Sequence, residues 1–241
     1  MERLNIGAVP ALRLGAGTRG AYLFVHGKLG NKEEAVDFAR RAEPAGYQVV
    51  SMDLPGHGER RDSGERLVPW TAVPEIRAVY DFLKARWDHI CLRANSIGAW
   101  LAMEALQEEA LERALFVSPV TDMEGLIQTM MDWAGVTRRE LERRGEIPTE
   151  FGETLSWEYL NWVQANPVAW RVPTAILYGE RDTLISRRML NAFLGKTAGR
   201  LTVVKNGEHW FHTPEQMEKV ARWERANLSA PRESIGRIWS I

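Results

Sequence analysis

Two kinds of segment alternate along most of the chain. Short apolar runs rich in β-branched and aromatic residues lie at 22–26, 48–53, 89–94, 114–118, 174–178 and 201–205, and each reads as a strand. Between them, stretches with helical spacing occupy 32–45, 74–87, 97–109, 186–196 and 214–227. Strand and helix in turn specify a mainly parallel sheet with helices on both faces.

Two helix starts carry local signals. Asn31 stands three residues before Glu34, and Thr213-Pro214-Glu215-Gln216 offers an N-cap, a proline at the first helical position and a capping-box glutamine. Residues 4–14 supply one or two edge strands, with Pro10 interrupting them and Gly15 and Gly17 marking a turn. Residues 121–171 break the alternation: the segment is long, mostly helical in composition, and carries Trp133, Trp157, Trp162 and Trp170. It reads as an insertion, which divides the chain into a core of 1–120 and 172–241 and an inserted unit of 121–171. The ending, 229–241, has no clear period, although Ile235, Ile238 and Trp239 suit docking on the surface or on a second copy, as in a homodimer.

At 241 residues the chain is long enough to bury one sizeable core. Its charges nearly cancel at net −1, with Lys and Arg scattered, so nothing marks a nucleic-acid surface. Cys91 is the single cysteine and has no internal disulfide partner. The opening Met1-Glu2-Arg3 lacks the apolar run of a secretory signal, and no stretch approaches the roughly 18 apolar residues of a membrane span. A soluble, cytoplasmic protein is expected, with a small molecule as its partner.

The strongest chemical signal is Ala94-Asn95-Ser96-Ile97-Gly98, directly after one predicted strand and directly before a helix. A strand that turns sharply into a helix needs small residues on either side of the turn, and Ala94 and Gly98 meet that need. The serine at the apex then stands above the sheet, over a helix N-terminus that favours developing negative charge. This stretch resembles the nucleophile elbow of the α/β-hydrolases, Gly-x-Ser-x-Gly, with Ala94 in place of the first glycine. Ser96 alone would also suit a helix cap, so the other loops must decide.

Those loops fall in the order of that family. Val25-His26-Gly27-Lys28 resembles its oxyanion segment, and the resemblance implies that the backbone N–H groups of Lys28 and Ile97 converge on one oxygen. Asp53-Leu54-Pro55-Gly56-His57-Gly58 is similar to its Asp-x-Pro-Gly-x-Gly turn, a structural element in which His57 is a solvated turn residue. A serine nucleophile needs a base, and the base an orienting acid. Tyr178-Gly179-Glu180-Arg181-Asp182 resembles the loop of the acid. Asn206-Gly207-Glu208-His209 resembles that of the base, one residue short. The resemblance therefore implies an α/β-hydrolase fold with Ser96, Asp182 and His209 as a catalytic triad.

Rivals exist for each position. Asp122 follows the 114–118 strand, where some relatives carry the acid. His212 precedes the capping Thr213, His89 begins a strand, and Cys91 lies inside one as a small hydrophobe. No cluster has metal-ligand spacing and no glycine-rich phosphate loop is present, so no metal and no cofactor are expected. In relatives an insertion at 121–171 forms a helical cap, and Trp133, Trp157 and Trp162 are its candidate substrate-binding residues, although tryptophans also serve to pack a cap onto its core. Lys28 is the unusual charge near the expected site, with Arg60 and Arg61 farther off on a loop where cations are generally solvated. The activity implied is hydrolysis of a small carboxylic ester with a short-chain or aromatic acyl group. Thioesters, carbon-carbon bonds and a non-catalytic binding role remain open on the same fold.

Overall fold

A computed structural model describes residues 1–229. The tail residues Ile235, Ile238 and Trp239 lie outside the described residues. Among the described residues the strands are β1 Glu2–Ile6, β2 Val9–Leu14, β3 Gly20–Val25, β4 Tyr47–Met52, β5 Ile90–Asn95, β6 Ala114–Val117, β7 Glu146–Pro148, β8 Thr154–Ser156, β9 Thr174–Gly179 and β10 Gly199–Val204. The α-helices are α1 Ala35–Ala42, α2 Pro69–Lys84, α3 Ser96–Leu106, α4 Met123–Ala134, α5 Arg138–Arg144, α6 Trp157–Ala165, α7 Arg187–Leu194 and α8 Pro214–Leu228. None of these helices is long and apolar enough to cross a membrane.

Eight strands make one sheet in the order β1-β2-β4-β3-β5-β6-β9-β10. The pairs β1/β2 and β2/β4 are antiparallel and every other pair is parallel. From β3 the chain steps first to β4 on one side and later to β5 on the other. The crevice at the carboxyl ends of β3 and β5 is therefore the switch point where open α/β sheets hold their sites. The fully buried strands β3 and β9 explain why these runs are continuously apolar rather than alternating. One core layer lies under α2, α3 and the elements between β6 and β9, and the other under α1 and α8.

Three elements differ from the periodicity. Helix α2 begins five residues before the expected Pro74, with Pro69 in its first turn and Pro74 inside it. Ala72, Val73, Ile76, Val79, Tyr80 and Leu83 share its buried side, and this apolar stripe outweighs the one hydrogen bond that Pro74 cannot make. The expected 32–45 helix is a 3₁₀ turn, α1, and a second 3₁₀ turn closed by Gly46. At the N-terminus two strands form, not one, and Pro10 sits in β2 with its carbonyl accepting from Asp53 N–H at 2.9 Å.

The two helix caps are half as expected. Asn31 accepts from Glu33 N–H rather than completing a box with Glu34. Thr213 accepts from Gln216 N–H, while the Gln216 side chain takes the N–H of His212. Residues between β6 and β9 stand outside the main sheet, as α4, α5, the β7–β8 hairpin and α6. The hairpin was not legible in a segment of helical composition.

Candidate active site

Three loops at the carboxyl ends of β5, β9 and β10 bring Ser96, Asp182 and His209 together. Ser96 sits at φ +47°, a left-handed conformation that costs a non-glycine residue on the order of 1–3 kcal/mol and holds the side chain up at the turn. The turn is possible because of Gly98: a Cβ there would stand 2.1 Å from the His26 carbonyl oxygen, so any side chain would force β3 and α3 apart. Ala94 is fully buried in β5, so its methyl is accommodated where the family pattern has glycine.

Ser96 Oγ lies 2.9 Å from His209 Nε2, and His209 Nδ1 lies 2.7 Å from Asp182 Oδ2. The Asp182 side chain is fully buried, and its other oxygen accepts from the N–H groups of Leu184 and Ile185, both at 2.9 Å. Its orientation is thereby fixed before it meets the histidine. With Nδ1–H donating to this carboxylate, Nε2 is left as the acceptor facing the serine.

The loops that carry Asp182 and His209 are stitched to each other. Arg181 N–H donates to Gly207 O at 2.7 Å, and the Glu180 side chain accepts from Asn206 N–H at 2.9 Å. Gly179 passes so close to the second loop that a Cβ on it would stand 2.4 Å from Glu208 O. This contact lets the one-residue-short loop still deliver His209.

The segment after β3 packs against the elbow, since a Cβ on Gly27 would be 3.3 Å from the Ser96 Cβ. His26, fully buried, ties that segment to the next loop: Nδ1–H donates to Gly27 O at 2.7 Å, and Nε2 accepts from Leu54 N–H at 3.1 Å. Burial above all lowers its pKa to about 4, so the ring is neutral at physiological pH. This stapling role was missed by a reading that took His26-Gly27 only as a loop signature. Its visible trace was a histidine ending a wholly apolar strand.

Ile97 is the second residue of α3, so its N–H has no carbonyl one turn earlier to meet. The preceding Asn95 has a good capping side chain but does not cap. Its Oδ1 accepts from Arg93 at 2.6 Å and its amide nitrogen faces Glu34 at 3.4 Å. The first turn of α3 is thus left without a side-chain cap beside Ser96, its N–H groups at the positive end of the helix. Lys28 lies on the facing loop, and its ammonium pairs with Glu153 of the turn between β7 and β8.

The other candidates are engaged elsewhere. Asp122 caps α4, accepting from Gly125 N–H at 2.9 Å. His212 stacks on Trp210 and bonds Trp210 O, His89 pairs with Glu112, and His57 bonds Pro55 O. The buried Cys91 thiol is pushed up to about 12, chiefly by burial. Arg60 corrects an expectation. It is buried rather than solvated, clasped by Glu65 and Glu75, whose paired carboxylates suit the guanidinium fork. Asp53 anchors its turn by accepting from Lys32 N–H and from the buried Lys32 ammonium. Burial alone would raise its carboxyl, and the bonds from Lys32 and Glu59 N–H outweigh that and hold it low.

Of the tryptophans between β6 and β9, Trp133 is half exposed against Phe151, and Trp157 lies under the Arg138 guanidinium. Trp162 donates to Glu104 on α3 at 2.6 Å, and Trp170 is buried against Phe116.

The sequence matches the model of the alpha/beta hydrolase family over residues 22–223. No curated protein matches it. Among solved structures, alpha/beta hydrolase domain-containing protein 10 from mouse is similar at 16% identity and TM-score 0.75, covering 94% of this chain and 97% of that one. Est1E from Butyrivibrio proteoclasticus, with ferulic acid bound, is similar at 16% identity and TM-score 0.73, covering 95% and 98%. A soluble variant of monoglyceride lipase from Saccharomyces cerevisiae is similar at 13% identity and TM-score 0.67, covering 95% and 94%. At these identities the structural likeness speaks for the fold, and together with the family match over most of its length it establishes that the chain belongs to the alpha/beta hydrolase family.

Proposed function

We propose that the protein is a serine hydrolase that cleaves a small carboxylic ester, of short-chain or aromatic acyl group, through an acyl-enzyme on Ser96. The observation that carries this reading is the hydrogen-bonded chain from Ser96 Oγ through His209 to Asp182 on a strained strand-to-helix turn. Ser96 gives its proton to His209 Nε2 as Oγ attacks the ester carbonyl. Negative charge on the carbonyl oxygen meets the N–H groups of Lys28 and Ile97. The imidazolium, stabilised by Asp182, returns the proton to the departing alkoxide. Water then repeats the sequence on the acyl-enzyme, freeing the acid and restoring Ser96.

In this reading residues 121–171 cap the site and exclude water from it, with Trp133, Trp157 and Trp162 as apolar lining. Two family neighbours support an ester as substrate: one is a monoglyceride lipase and another holds ferulic acid. The test is hydrolysis of a panel of p-nitrophenyl and methyl hydroxycinnamate esters by the protein and by Ser96→Ala. Turnover is expected for the former and not for the variant. No turnover, with no labelling of Ser96 by a fluorophosphonate, would leave a ligand-binding member of the fold instead.

A further inference from the structure

Two turns beyond Ser96, α3 presents a carboxylate that the proposed triad does not use. Glu104 is 4% exposed, with one oxygen accepting from Trp162 and Oε2 buried and unpartnered among the described residues. The Tyr159 hydroxyl, on α6, is likewise buried and unpartnered among them. Buried polar atoms of this kind are uncommon, because each forfeits its hydrogen bonds to water.

Aromatic rings pack around Tyr159, and Trp162, which donates to Glu104, belongs to the same cluster. Tyr159 lies 6.0 Å from Trp100 and 6.2 Å from Trp70, and Trp70 lies 5.8 Å from Trp162. Two connections lead from this box to Ser96. Trp100 and Glu104 follow it by one and two turns on the same helix, which places Glu104 about 12 Å along α3 from the serine at the helical rise. Glu153, whose charge reaches the Tyr159 phenol as that of Glu104 does, is the partner of Lys28 on the facing loop.

We infer that Glu104 and Tyr159 form the recognition end of the acyl pocket, taking an acyl group whose aryl body ends in a hydroxyl. The inference rests on Ser96 being the acylated residue. A ligand hydroxyl donates to Glu104 Oε2 and accepts from the Tyr159 O–H, so both orphaned atoms are satisfied at once. An ammonium fits less well, because it has no acceptor for the Tyr159 proton. A flat aryl body suits the surrounding rings.

Methyl 3-(4-hydroxyphenyl)propanoate and methyl 3-phenylpropanoate differ by that one hydroxyl on an unconjugated ring, and their hydrolysis is the test. The protein is expected to favour the hydroxylated ester in kcat/KM by about tenfold or more. Tyr159→Phe and Glu104→Gln are each expected to bring the ratio to within about threefold of one, fluorophosphonate labelling of Ser96 reporting that the variants retain the site. Tyr159→Phe, which removes a single oxygen, keeps the test open should Glu104→Gln fold poorly. A ratio near one in the unaltered protein, or one that survives substitution, overturns the assignment.

If neither ester is cleaved and Ser96 takes no label, the hydrolase reading fails separately. Calorimetric titration with the two free acids then decides: tighter binding of the hydroxylated acid, lost in Tyr159→Phe, upholds the pair. Equal binding, or none, overturns it.

Discussion

Asp182 and Asp122 both follow strands and both suit the acid's place in the family order, yet their surroundings give them different tasks. One oxygen of Asp182 is fixed by two backbone N–H groups, so the other faces His209. Asp122 spends its side chain on the first turn of α4. Asp182→Asn is accordingly expected to lower kcat toward a cleaved ester by about 10³–10⁴-fold, since an amide there disfavours the required tautomer. Asp122→Ala should cost about 1 kcal/mol of stability, as lost caps do, and leave turnover nearly unchanged. Steady-state kinetics and urea unfolding on both variants check the pair, and equal kinetic losses would sink the assignment. The two aspartates differ in sequence context only by their flanking residues, so the choice between them rested on resemblance.

At the scale of elements, α8 is docked by charge as well as by its apolar side. Glu224 is buried against Arg93 of β5 at 3.0 Å and also accepts from Arg41 of α1 at 2.7 Å. Arg93 in turn holds Asn95 beside Ser96. Removing one member of a buried pair leaves the other charge uncompensated, so Glu224→Ala should destabilise the protein by about 3–5 kcal/mol. Glu218→Ala breaks only an exposed pair with Arg225 on the same helix and should cost under about 1 kcal/mol. Comparable denaturation midpoints for the two would contradict this. Helical spacing placed α8 within a residue of its observed ends but gave no sign of Glu224's burial, because its partners lie on strands and helices far away in the chain. Helix α2 shows the same limit: a local rule put its start at Pro74, and packing of Ala72 and Val73 moved it to Pro69.

At the scale of the whole molecule, neutral His26 couples the switch-point loops to global stability. Its folded pKa of about 4 lies below the ordinary 6.5, so between those values the unfolded chain takes up a proton that the folded chain refuses. Stability from this group is complete above pH 6.5 and falls as the pH drops through about 4, by ~3 kcal/mol in all. The stability lost between pH 7 and pH 4.5 should therefore be smaller in His26→Gln than in the unaltered protein. Urea unfolding at the two pH values measures it, and an equal loss in both would contradict the buried-neutral histidine.

The alternation of apolar runs and helical stretches determined the parallel sheet and the order in which the loops follow the strands. Those features depend on spacings of a few residues, which a sequence displays directly. Tertiary structure decided which aspartate faces His209, that Arg60 and Glu224 are buried, that His26 is a staple, and that Trp162 bonds Glu104. Each of these depends on partners brought together across the fold, as when 113 residues separate Ser96 from His209, and no local period records such a meeting.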